Sequence, residues 1–83
     1  MPKILKVETP EYGKLIVEAS DGVRYHADLT VLSHIANFPQ DEGVWNRVKI
    51  DNYGITLIWP SRLQLHLGQI SSRAFKKETL ARD

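Results

Sequence analysis

Three histidines, His26, His34 and His66, are the side chains of this 83-residue chain best suited to proton transfer or metal binding. A metal site needs ligands presented together, as in His-Glu-x-x-His, and no such spacing links these three. His26 and His66 fall on alternating segments at positions pointing away from the core, so solvated histidines are expected. Glu8, Asp21, Asp28, Asp41 and Glu42 would serve acid–base chemistry if folding paired them. Asp21 precedes a glycine and Asp41 precedes a short helical stretch, so turn and cap roles are expected of those two. Ser33, Ser61, Ser71 and Ser72 carry no nucleophile motif. The five glycines are isolated at turns, and the absence of cysteine excludes thiol chemistry and disulfides. Neither an enzymatic activity nor a cofactor or metal is expected.

Trp45 and Trp59, with Arg47 and Arg62 nearby, have the composition of a base-stacking platform. Trp59 shares its strand face with Ile55 and Leu57, however, and core packing is the expected role of both indoles. Net charge is +1 and the basic residues are spread along the chain, whereas a dedicated nucleic-acid binder concentrates them on one face. The densest group, Arg73, Lys76 and Lys77, is followed at once by Glu78. Apolar residues at 42% argue for a globular domain over disorder. Residues 1–83 are expected to form a single domain, burying only about 60–65% of the unfolded surface. The opening "MPKILKVETP" lacks the apolar core of a signal peptide, and no stretch approaches the roughly 20 apolar residues of a membrane span. A cytoplasmic location without membrane attachment is expected.

The elements that must position these residues are mostly strands. "ILKVET" (4–9) reads as a first strand stopped by Pro10. "KLIVEASDGVRYHAD" reads as a hairpin. A three-residue loop, Ser20-Asp21-Gly22, pairs Val17 with Tyr25 and Leu15 with Ala27, which keeps apolar residues on one side. Gly22 then takes the left-handed conformation. "RVKIDNYGITLIW" reads as a second hairpin with a four-residue loop, Asp51–Gly54, pairing Ile50 with Ile55 and placing Gly54 at positive φ. Pro60 ends that strand, and Leu63, Leu65 and Leu67 mark a short last one. Between the hairpins, helical spacing of Leu29, Leu32 and Ile35/Ala36 predicts a helix capped by Thr30, and Asp41 predicts one further turn through Trp45. The tail predicts a helix from Ser71 or Ser72, with Ala74, Phe75 and Leu80 touching the sheet and fraying from about residue 77. The expected class is α+β: two β-hairpins plus a first and a short last strand in an antiparallel or mixed sheet, with short helices on one face.

One face of that sheet is not absorbed by the core. Ile16 and Ile58 are expected there with Glu18, Arg24, His26, Thr56, Gln64 and His66. Two isoleucines amid polar residues read either as ordinary surface or as the seed of a protein interface. The candidate partner-binding set is Ile16, His26, Ile58, Arg62 and His66.

A strand, an acidic turn with a glycine, an apolar-x-Trp-Pro strand and a Leu-x-Leu segment resemble the small bacterial domain-of-unknown-function family 2442. "LKVETPEYGKLIVEASDGVRYHADLTVL" resembles that family's opening hairpin and connector, and "DEGVWNRVKIDNYGITLIWPS" its second hairpin. The family typically continues "WPNG" and then an acidic segment. Here Ser61 and Arg62 replace Asn and Gly, and Gln64 and His66 stand where acids are usual, so the local charge is reversed. The resemblance implies no established enzyme activity. It implies a protein-interaction module, an antitoxin-like subunit of a two-gene toxin–antitoxin pair whose partner belongs to domain-of-unknown-function family 4160. The alternative is a weak nucleic-acid-binding or autoregulatory domain using Arg62, Arg73, Lys76 and Lys77. The partner expected first is another small protein.

Overall fold

The computed structural model describes residues 2–80. Seven strands and two short helices follow the order β1 (Ile4–Glu8), β2 (Lys14–Ala19), β3 (Val23–Asp28), α1 (Glu42–Trp45), β4 (Lys49–Ile50), β5 (Thr56–Ile58), β6 (Gln64–His66), α2 (Leu67–Ser72) and β7 (Ala74–Thr79). The α+β class holds, with the strands divided between two antiparallel sheets where one was expected. The first has the order β1-β2-β3-β7 and the second β4-β5-β6. Both bury their inner faces in one core, which takes Leu15, Val17, Tyr25 and Ala27 from the first sheet and Leu57 and Leu65 from the second.

The first hairpin has the expected register, Val17 opposite Tyr25 and Leu15 opposite Ala27. Gly22 has φ 82°, and its N–H donates to the Ala19 carbonyl at 3.1 Å. The Asp21 carboxylate accepts from Val23 N–H (3.0 Å) and the Tyr25 hydroxyl (2.9 Å), fixing the turn from two sides.

The second hairpin differs from expectation by two residues. Ile50 pairs with Leu57 and Lys49 with Ile58, leaving Ile55 in the connection. The cause is the Asp51 side chain, whose Oδ1 accepts from both Ile55 N–H (3.0 Å) and Thr56 N–H (3.2 Å) and draws them over the turn. Because side chains alternate with period two, a two-residue shift keeps Ile50 and Leu57 on one face and Lys49 and Ile58 on the other, whereas Thr56, expected outward, is buried and Ile55 is outside the core. Gly54 closes the turn at φ 73°.

The predicted helix at Thr30 is a single 3-10 turn, Thr30–Leu32. Thr30 is not its cap: Asp28 Oδ1 accepts from both the N–H and the hydroxyl of Thr30. Further i→i+3 bonds, Ile35 N–H to Leu32 and Phe38 N–H to Ile35, carry the chain to Pro39 without an α-helix. Asp41 caps α1 as expected, accepting from Val44 N–H at 2.9 Å.

The tail is the largest departure. The helix comes earlier, as α2, and residues 74–79 form a strand against β3. Free N–H and C=O groups along the outer edge of β3 outweigh the local helical tendency of "AFKKET". Cross-strand charges agree with this, Arg24 facing Glu78 and the His26 side chain bonding to Glu78. Phe75 is the extra residue of a bulge between the Ala27–Ala74 and His26–Lys76 pairs, so it lies 68% exposed instead of touching the core. Leu80 N–H donates to the Gly22 carbonyl, so residues 77–80, where fraying was expected, are held against the sheet; residues 81–83 lie outside those described. A similar bulge in β1 turns Leu5 outward, 66% exposed, while Ile4 stays in the core.

Trp45 and Trp59 are 0% and 1% exposed, which removes the stacking-platform reading. Their rings stack at 5.0 Å, and Phe38 stacks on Trp45 at 5.4 Å. Both indole N–H groups are satisfied by backbone, Trp45 Nε1 donating to Lys14 O (3.1 Å) and Trp59 Nε1 to Trp45 O (3.0 Å). These two bonds tie β2 to α1 and α1 to the β5–β6 hairpin.

Candidate interaction surface

Division into two sheets separates the candidate residues. Ile16 and His26 face each other on the outward side of the first sheet, whereas Ile58 lies on the outward side of the second, between Lys49 and Gln64. The single face expected to hold both isoleucines therefore does not exist. After β3 the chain leaves through the 3-10 turn and α1, and the second hairpin starts a sheet of its own.

The two outward faces differ in charge. On the first, Lys6 pairs with Glu8 at 3.0 Å, Arg24 with Glu18, and His26 with Glu78. Lys6 raises its own pKa by hydrogen bonding to Glu8, and the same contact lowers that of Glu8. Hydrogen bonding to Glu18 raises Arg24, and the His26 side chain lowers Glu78. Half-buried Ile16 sits within this internally neutralised lattice.

The second outward face carries cations without such partners. Arg47 and Lys49 on this face, and Arg62 in the loop that follows Pro60, are exposed, and none forms an ion pair among the described residues. A shallow hollow of about 260 Å³ lies here, with Ile58, Trp59 and Pro60 lining it beside Arg47 and Lys49. No acidic residue occurs between Asp51 and Glu78. Asp51 itself is engaged in its turn: burial pushes its carboxyl up, but the N–H groups of Ile55, Thr56 and Gly54 outweigh this and hold it below the usual carboxylate range.

Arg62 ends the three-residue loop Pro60-Ser61-Arg62 that joins β5 to β6. Its N–H donates to Trp59 O (2.9 Å), Trp59 N–H donates to Leu63 O (3.0 Å), and its φ is 74°. This is a left-handed position occupied by a residue with a Cβ. Asn37 Nδ2 donates to the Arg62 carbonyl at 3.3 Å, bracing the loop from the connector. Ser61 Oγ is buried and has no hydrogen-bond partner among the described residues.

His66 lies elsewhere. Its Nδ1 is 3.0 Å from the Thr56 hydroxyl, and with Tyr25, Ile55 and Leu67 it lines a larger, mainly apolar cleft of about 490 Å³ beside α2. The Tyr25 hydroxyl donates to Asp21, and burial raises its pKa. The smaller hollow is the better candidate despite its size, because Arg47 and Lys49 line it beside Ile58, whereas no Lys, Arg, Asp or Glu lines the larger cleft. Arg47 and Lys49 were absent from the expected set, although the alternation that placed Ile58 outward places Lys49 and Arg47 on the same side. Among the described residues no three His, Asp or Glu side chains gather as metal ligands, and no helix is long and apolar enough to cross a membrane. Comparison with protein-family models, curated proteins and solved structures finds no match to this chain.

Proposed function

We propose that this protein is a small protein-interaction module of the cytoplasm that engages its partner through the outward face of the second sheet. The observation that carries the reading is the half-buried Ile58, set in a shallow hollow beside Arg47 and Lys49 on a face whose cations lack acidic partners. Interfaces combine an apolar centre with a polar rim, and this patch has that arrangement on a small scale. The resemblance to the domain-of-unknown-function family 2442 supports the more specific reading, an antitoxin-like subunit of a two-gene pair. Its partner would then be the product of the adjacent gene. Co-expression with that product tests this directly: a stable complex is expected, and two proteins that elute separately would contradict it.

The acid-free run after Asp51, with Arg62, Arg73, Lys76 and Lys77, favours a second reading as a weak nucleic-acid binder. Both tryptophans are in the core, which leaves that reading without the stacking surface single strands require. A duplex-DNA mobility shift with steep salt dependence would favour it over the first.

A further inference from the structure

Two loops of this protein have the same length and close alike, yet one ends in glycine and the other in arginine. In Ser20-Asp21-Gly22 the last residue donates to the carbonyl three positions back at φ 82°, and in Pro60-Ser61-Arg62 the last residue does so at φ 74°. Glycine meets this requirement freely, while a side chain there is strained. The second loop also leaves the Ser61 hydroxyl buried without a partner. A strained arginine two residues after Pro60, which lines the hollow with Arg47 and Lys49, points to a use for the side chain itself.

We infer that Arg62, Arg47 and Lys49 form a cationic rim around Ile58 and Pro60 that docks a segment of a partner protein rich in carboxylates and carrying an aliphatic residue. This rests on the interaction-module reading and names the partner's chemistry. The partner's carboxylates pair with the rim, and its aliphatic side chain packs into the hollow at Ile58. Charge decides the class of occupant. The first sheet's outward face places Glu8, Glu18 and Glu78 among its cations, with Lys76 the one near His26 outside an ion pair, whereas Arg47 and Lys49 on the second face have no carboxylate beside them in their own sheet. The apolar floor distinguishes a peptide from a nucleic acid, because phosphates would use the cations alone.

Fluorescence anisotropy with three probes of equal length tests this: a peptide alternating Glu and Leu, its counterpart with Gln for Glu, and an oligothymidylate. The Glu–Leu peptide is expected to bind the wild type with an affinity that falls as salt is added. Arg62→Gly and Lys49→Gln should weaken it by roughly fivefold each, and Lys6→Gln on the first sheet should not. Arg62→Gly should also melt higher than wild type, so its lost binding is not lost folding. Equal affinity for wild type and Arg62→Gly, or preference for the Gln peptide or the oligothymidylate, overturns the inference. The product of the adjacent gene separates the two levels. Binding to wild type and Arg62→Gly alike overturns this surface but leaves the module reading standing, whereas no binding to wild type contradicts the module reading itself.

Discussion

Gly22 and Arg62 occupy equivalent positions of two three-residue hairpin loops, one without a side chain and one with it, at φ 82° and 74°. Holding a non-glycine residue in this region costs about 1–2 kcal/mol. Arg62→Gly should therefore raise stability by up to about 1 kcal/mol, part of the gain being offset by the freer unfolded chain. Gly22→Ala should do the opposite. Thermal melting of the two variants checks both signs, and a lower melting temperature for Arg62→Gly would contradict the strain.

Trp59 should be indispensable to folding. It is fully buried, stacked on Trp45, and hydrogen-bonded to the Trp45 carbonyl. Trp59→Ala should cost roughly 3–5 kcal/mol, a large share of the stability of a domain this small. Trp59→Phe keeps most of the stacking but leaves the Trp45 carbonyl without its donor, so an intermediate loss is expected. Chemical denaturation of the three proteins orders them; equal midpoints would contradict a structural role.

Acid should destabilise the fold. The Thr30 hydroxyl and N–H lower Asp28, Lys6 lowers Glu8, His26 lowers Glu78, and turn N–H groups lower Asp51 against the effect of burial. A carboxyl depressed in the folded state stabilises it above the unfolded value, and that contribution is lost as pH falls through the folded one. Melting temperature should thus hold from neutrality to about pH 5 and fall below roughly pH 4. Asp51→Asn should make the fall shallower. A melting temperature unchanged down to pH 3 would contradict this assignment.

Side-chain alternation and turn chemistry made much of the fold legible before any coordinates. The Asp21-Gly22 register, the positive φ of Gly54, the Asp41 cap and the burial of Trp59 all follow from local pattern. Two kinds of feature did not. The tail's strand depends on the free edge of β3, a demand made by distant residues to which the helical tendency of 74–79 gives no clue. Bulges at Leu5 and Phe75 insert one residue into a ladder and leave no periodic trace. Of the candidate surface, the outward position of Ile58 was legible, while the separation of Ile16 from Ile58 was not. Parity places a residue on a face but does not say which sheet owns that face.

The central claim, that a protein partner docks on the second sheet's outward face, meets its most direct test in melting the wild type, Ile58→Glu and Ile16→Glu with and without the adjacent gene's product. At 100 times its dissociation constant a partner adds about 2.7 kcal/mol, on the order of 10 °C for a domain of this size. That gain is expected for wild type and for Ile16→Glu, which lies on the first sheet, and its loss is expected in Ile58→Glu on the second. A gain that survives in Ile58→Glu but vanishes in Ile16→Glu, or no gain in wild type at all, would contradict it.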